Sequence, residues 1–207
     1  MFEPQQLFFF LLATLLLNIT PGQDTMYIIG RTLTQGKRAG IISVLGINAG
    51  VLCHTIFAAL GLALLLRAQP VLYGFIKTLG ALYLIYFGIR MIASARQLKQ
   101  HPLELPRSSN RRLFIEGFLT NLLNPKVALF FITFLPQFIP AGTEGPLPFL
   151  LLGQLFILCS LPWCLTLVYL ASSASEFLKN SPQSQQVIHG ISGLAFIGMG
   201  TAIALQG

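Results

Sequence analysis

The chain carries an acid and a base just after prolines that interrupt two long apolar segments. The first interruption reads Thr20-Pro21-Gly22-Gln23-Asp24, and the second ends in Asn124-Pro125-Lys126. The two prolines are 125 − 21 = 104 positions apart, about half of the 207 residues. A proline removes a backbone hydrogen bond, which a bilayer tolerates only where protein or a water-lined cavity satisfies the freed groups. The two breaks are therefore expected to face the interior of the protein.

Each break is predicted to restart a helix, with Thr20 and Asn124 as N-caps and the two prolines at the first helical position. A helix N-terminus carries unsatisfied N–H groups and partial positive charge. Two such termini meeting at mid-bilayer beside the Lys126 ammonium would bind a carboxylate, and Asp24 would bind an ammonium group. Gly22 would let the ligand approach the backbone closely. The predicted ligand is a small zwitterion.

The predicted binding site consists of Thr20, Pro21, Gly22, Gln23, Asp24, Asn121, Asn124, Pro125 and Lys126. Asp24 and His54 are the candidates for carrying a coupling proton, although a lone histidine is more often a packing residue. Two alternatives stay open for the charged pair. Asp24 and Lys126 could simply neutralise each other, or Asp24 could lie hydrated near the membrane surface.

The composition indicates a membrane protein. Hydrophobic residues make up 54% of the chain and charged residues 9%, with a mean hydropathy of +0.73. A soluble domain needs more polar surface than this. Six apolar segments have the length of about 20 residues or more that a span needs: roughly 6–30, 41–66, 71–94, 113–138, 147–171 and 187–206. The first is expected to be a retained span, because the amino terminus lacks a basic region and no small-residue cleavage site precedes Pro21.

The predicted fold is an all-α membrane protein with six transmembrane helices in two inverted three-helix repeats, the first and fourth helices being broken at proline. The repeats are residues 1–94 and 113–207, joined by a cytoplasmic connector at 95–112. Basic residues concentrate after the odd-numbered spans: Arg31, Lys37, Arg38, Arg96, Lys99, Arg107, Arg111, Arg112 and Lys179. Those loops are therefore expected to be cytoplasmic, with both termini outside.

Other partners are less well supported by the sequence. The net charge of +7 does not predict nucleic-acid binding, because the basic residues flank spans instead of forming a stripe. Cys53, Cys159 and Cys164 lie in apolar segments and are expected to pack, so no cofactor or metal site is predicted. Gly46 and Gly50 form a GxxxG motif, which favours packing within the chain over a homodimer. Membrane lipid is expected around the helices.

At these motifs the chain resembles the LysE/RhtB family of amino-acid exporters. The resemblance rests on the motif at 20–24, the glycines at 36, 40, 46, 50 and 61, the segment 80–88 and the segment 121–138. The family usually has Pro-Gly-Pro in the first motif, where this chain has Gln23 as the last residue. The second motif looks closest to the homoserine/threonine exporter branch. The resemblance implies a bacterial inner-membrane protein that exports neutral or basic amino acids or derivatives, in exchange for protons and without ATP.

Two other classes of function are less consistent with the sequence. An intramembrane enzyme would need a catalytic set, yet the chain has no HExxH, no GxSxG and no clustered carboxylate pair. An accessory or structural membrane subunit would gain nothing from an acid and a base beside paired helix breaks, where burying charge is costly. The sequence therefore predicts a secondary transporter, not an enzyme.

Overall fold

The computed structural model describes residues 2–20, 22–62, 107–140 and 145–173, with isolated helical positions between 75 and 89 and between 194 and 201. Within these ranges all regular structure is helical. The predicted third and sixth spans, 71–94 and 187–206, and residues 95–106 of the predicted connector lie outside the continuously described ranges. Six spans and two inverted repeats therefore stay predictions.

Six α-helices are present in the described ranges. They are α1 Pro4–Ile19, α2 Gln23–Gln35, α3 Lys37–Phe57, α4 Asn110–Leu122, α5 Pro125–Leu129 and α6 Leu147–Ser173. Helix α3 continues as a π-helical turn, Ala58–Leu62, and α5 continues as a π-helical turn, Phe130–Phe134, and a 3₁₀ turn, Leu135–Phe138.

Two of the predicted spans are confirmed as continuous helices and two as broken ones. Lys37–Gly61 and Leu147–Ser173 are each long and apolar enough to cross a membrane. The pair α1 and α2 is bent by 51°, and α4 is bent by 48° from Pro125–Phe138. If each bent pair is one span, the described residues contain four spans. The first and fourth predicted helices are thus broken, as the prolines indicate.

Small residues bring α3 and α4 into close backbone contact. A Cβ atom added at Gly46 would overlap the backbone oxygen of Phe114. From the other helix, a Cβ atom at Gly117 would lie 2.7 Å from the backbone oxygen of Ser43. Between membrane helices, such close packing supplies much of the attraction, since lipid is as apolar as the side chains. The GxxxG motif therefore packs within the chain, as the sequence favours.

A cluster of aromatic rings joins α1, α6 and the segment that follows α5. Phe130 is fully buried, with its ring centroid 6.2 Å from that of Phe10 and 5.4 Å from that of Phe156. Phe131 is also buried, and its centroid lies 5.2 Å from that of Phe156. Edge-to-face and tilted pairs at these separations are attractive beyond their buried area. The cluster holds the second half of the bent pair against α1 and α6.

A polar cluster joins α2 to α4. Arg31 Nη2 lies 2.6 Å from Glu116 Oε2, and Arg112 Nε lies 2.7 Å from Glu116 Oε1. The Tyr27 hydroxyl is 3.1 Å from Glu116 Oε2. Arg31 is only 5% exposed. The assignment of Arg31 to a loop was wrong, because α2 continues to Gln35 and turns this side chain towards α4.

We expect Gly46→Ala to lower the free energy of unfolding by about 1–3 kcal/mol, because the new methyl group must push two backbones apart. Gly61→Ala is the matched control, since no atom of the described residues lies within 4 Å of the added atom. Thermal unfolding of the detergent-purified variants, followed by circular dichroism, measures the difference. Equal stability of the two variants would contradict the close α3–α4 contact.

Candidate functional site

The first break lies between α1 and α2. Thr20 is the C-cap of α1: its backbone N–H and its hydroxyl both donate to the Leu16 carbonyl, at 3.1 and 2.7 Å. Helix α2 begins at Gln23, with Gly22 as its N-cap. The prediction of Thr20 as an N-cap was therefore wrong, because its polar groups still bond back into the preceding helix. Pro21 lies outside the described residues.

The second break agrees with the sequence prediction. Helix α4 ends at Leu122, and Asn124 is the N-cap of α5, accepting a hydrogen bond on its side-chain oxygen from the backbone N–H of Lys126 at 3.1 Å. Pro125 is the first residue of α5. The fixed φ of proline and its missing N–H suit that position.

Lys126 connects the two breaks. Its side chain is 4% exposed, and its Nζ donates to the carbonyls of Leu17 and Thr20, at 3.1 and 3.0 Å. These carbonyls lie at the end of α1, where backbone acceptors have no helical partner and the helix dipole is negative. A Cβ atom at Gly22 would lie 3.1 Å from the same Nζ. Gly22 thus leaves room for the ammonium group.

Asp24 lies in the first turn of α2, where the helix dipole favours a negative charge. Its Oδ2 accepts a hydrogen bond from Asn121 Nδ2 at 2.8 Å. Its Oδ1 is shielded from solvent and has no hydrogen-bond partner among the described residues. The two charges are close enough to interact, but no ion pair within 4.0 Å joins Asp24 to Lys126. The two charges therefore interact without forming a direct ion pair within 4.0 Å.

Asn121 stands between Asp24 and His54. His54 is 7% exposed, and its Nε2 lies 3.2 Å from the backbone oxygen of Asn121, so a protonated Nε2 would donate there. The side-chain amide of Asn121 packs on α3, where a Cβ atom at Gly50 would lie 2.7 Å from Asn121 Oδ1. His54 therefore reaches Asp24 through Asn121, and Gly50 makes room for the connecting amide.

A small cavity lies beside the two breaks. Asp24, Asn121 and Lys126 line it together with apolar side chains of α2 and α3. The space open to the centre of a water molecule is about 20 Å³. This is enough for about one water and far too small for an amino acid. The conformation is thus closed around its polar groups.

Helix α6 supplies a wall of this cavity that the sequence reasoning missed. Its lining residues recur at helical spacing on one face: Phe156, Ser160, Trp163, Cys164 and Leu167. Ser160 Oγ lies 3.7 Å from Cys164 Sγ. Ser160 and Trp163, one turn apart in the middle of a mainly apolar helix, were the signal that could have indicated this face.

Two further residues of the predicted binding site, Gln23 and Asn124, are not among the residues that line the cavity. Gln23 is exposed and does not line the cavity. Asn124 is buried, and its side-chain Nδ2 makes no hydrogen bond within 3.5 Å among the described residues, although the side chain is close enough to the Asp24 carboxylate to interact with it. Within the described ranges, no group of three His, Cys, Asp or Glu side chains could hold a metal ion.

Comparison with known proteins gives a consistent result over nearly the whole chain. The model of the family described as LysE type translocator matches residues 15–207. The uncharacterized membrane protein YrhP of Bacillus subtilis is 33% identical over 91% of this chain and 93% of its own length. The leucine efflux protein of Enterobacter sp. (strain 638) is 26% identical over 90% of this chain and 89% of its own length. No solved structure matches the chain significantly.

Removing the Lys126 ammonium should destabilise the protein. We expect Lys126→Met to lower the free energy of unfolding by about 1–3 kcal/mol, because buried carbonyls of α1 lose their donor. The control is Arg38→Met, at an exposed basic position, where the change should stay within about 0.5 kcal/mol. Thermal unfolding in detergent measures both. A Lys126→Met variant as stable as the wild type would show that the carbonyls do not need this ammonium.

Proposed function

The chain belongs to the LysE type translocator family, and from this premise we propose that it exports amino acids or their derivatives across the bacterial inner membrane as a secondary transporter. A relative is named leucine efflux protein, which supports an amino acid as the substrate. The translocator family also argues against an enzyme. The proposed topology is six spans in two inverted repeats, 1–94 and 113–207, with both termini outside.

The observation that carries the proposal is the arrangement of Asp24 and Lys126 at the two helix breaks. Asp24 Oδ1 is shielded from solvent and has no hydrogen-bond partner within 3.5 Å in the described part of the chain, so it can accept a hydrogen bond from the ammonium group of a substrate. Lys126 uses two N–H groups on carbonyls of α1, which leaves its third for a substrate carboxylate. The free backbone N–H groups at the start of α2 add partial positive charge for the same carboxylate.

Transport requires the small cavity to open to each side of the membrane in turn. Discontinuous helices at a midplane site are typical of transporters that work in this way. Both bent pairs contribute residues next to their breaks to the lining of the cavity, Asp24 from one pair and Lys126 from the other. Movement at these breaks would enlarge the cavity, while the hydrogen bonds from Lys126 to the carbonyls of α1 would hold the two breaks together.

Proton antiport follows from the chemistry of Asp24. A carboxylate binds an ammonium group well, and a protonated carboxyl group does not, so proton binding at Asp24 would release the substrate. His54 is the second proton candidate, because it contacts the residue that holds Asp24. Asp24 and His54 would then couple the binding of a proton to the release of an amino acid at the same site.

The central test is counterflow of labelled L-leucine, L-threonine and L-lysine in proteoliposomes, with and without a pH gradient. Asp24→Asn and Lys126→Ala should each lower transport by about 10- to 100-fold or more, as expected when a hydrogen bond to a charged group is lost. Glu3→Gln and Arg38→Gln are the matched controls at exposed positions and should transport normally. Unchanged flux in both site variants would refute the site, whereas hydrolysis products in place of flux would indicate an enzyme.

A second test concerns His54. Glutamine at this position can still donate to the Asn121 carbonyl but cannot titrate. We expect His54→Gln to retain counterflow without a gradient and to lose most of the stimulation by a pH gradient. Thr55→Val on the same helix is the control, because within the described ranges its hydroxyl bonds only the Val51 carbonyl, at 2.9 Å. A full response to the gradient in His54→Gln would leave Asp24 as the remaining proton candidate.

A further inference from the structure

Trp163 has an unusual place for a tryptophan in a membrane helix. It is the only tryptophan in the chain. It lies 163 − 147 = 16 residues after the start of α6, about 24 Å along a helix of about 40 Å. Tryptophan usually lies at the membrane interface, where its N–H is hydrated. Here the side chain lines the cavity, and its Nε1 is shielded from solvent with no partner among the described residues.

Other residues that line this cavity also have buried polar atoms without hydrogen-bond partners among the described residues. Asp24 Oδ1 and Asn121 Oδ1 are acceptors, Trp163 Nε1 is a donor, and all three residues line the cavity. An unsatisfied polar atom in a low-dielectric interior is costly. A zwitterionic amino acid has ammonium donors for the two acceptors and a carboxylate acceptor for the indole donor. The set of unpaired atoms therefore matches the ligand of the proposed function, on which this inference rests.

We propose that Trp163 is a substrate-binding residue whose indole N–H donates a hydrogen bond to the carboxylate of the bound amino acid. The indole nitrogen can only donate, so it can bind a carboxylate but not an ammonium group. Asp24, which can only accept when ionised, takes the opposite end of the substrate. Trp163 and Asp24 together then fix the direction in which the amino acid lies. The apolar side chains of Ile28, Phe156 and Leu167 remain for the rest of the substrate.

The single tryptophan makes this contact directly observable. Protein labelled with ¹⁵N-tryptophan has one indole N–H signal, and that signal comes from Trp163. The probe is the amino acid with the highest counterflow among L-leucine, L-threonine and L-lysine. The comparison compound is the amine that lacks its carboxyl group, which is 3-methylbutylamine for leucine. We expect the amino acid to move the indole proton downfield and slow its exchange with solvent, and the amine to do neither.

A conservative variant separates binding from structural support. Trp163→Phe keeps an aromatic ring and removes the donor, so it should weaken binding of the amino acid by about tenfold, as for a lost hydrogen bond to a charged group. Binding of the amine should not change, whereas a merely structural defect would weaken both. Thr166→Val is the control on the same helix, because its exposed hydroxyl bonds only the Pro162 carbonyl, at 2.8 Å.

The outcomes distinguish this inference from the function on which it rests. If a transported amino acid leaves the indole signal unchanged, or moves it no more than the amine does, Trp163 is not the carboxylate donor and the exporter still stands. If Trp163→Phe weakens amino acid and amine equally, its role is structural. If none of the three amino acids is carried, the proposed function fails and this inference fails with it.

Discussion

The contact between the Lys126 ammonium and the last carbonyls of α1 is the interaction on which the site depends. A helix that ends inside a membrane leaves acceptors that lipid cannot satisfy. A buried ammonium group, equally, needs acceptors to offset its loss of hydration. The Leu17 and Thr20 carbonyls and Lys126 Nζ meet both needs at once. Each broken helix is thus stabilised by the other, although 109 positions separate Leu17 from Lys126.

Because the Leu17 and Thr20 carbonyls bind the Lys126 ammonium group, this group does not form a direct ion pair with the Asp24 carboxylate. Asn121 holds one of its oxygens, and the other remains unpaired. The position of Asn121 depends in turn on the close packing of α3 against α4, since Gly50 makes room for its amide. Small residues that look like packing features in the sequence therefore help to place the acid. Through Asn121, the close packing of α3 against α4 thus determines the position of the Asp24 carboxylate.

Local signals predicted the features that depend on neighbouring residues. Proline and asparagine indicated the break at 124–125, and composition indicated helices in a membrane. The features that depend on distant contacts were missed: Thr20 ends a helix instead of starting one, and Arg31 pairs with Glu116 inside the protein. The wall formed by α6 was missed because its cavity-facing and outward-facing positions are equally apolar. In a membrane, the inner and outer faces of a helix need not differ in hydropathy.

Under the proposed function the protein is an antiporter, which must not change conformation with an empty site, and the Asp24 site gives a physical reason for this restriction. A buried carboxylate with one unpaired oxygen is unfavourable in a closed, poorly hydrated cavity. Either a proton or a substrate ammonium group removes that cost, and the two compete for the same oxygen. Under the proposed function, closure around Asp24 is therefore favourable when the site holds one of these partners and unfavourable when it holds neither. Lys126 imposes no such requirement, because its ammonium group already has two carbonyl partners in the closed conformation. The charge that a proton or an amino acid must satisfy is therefore that of Asp24.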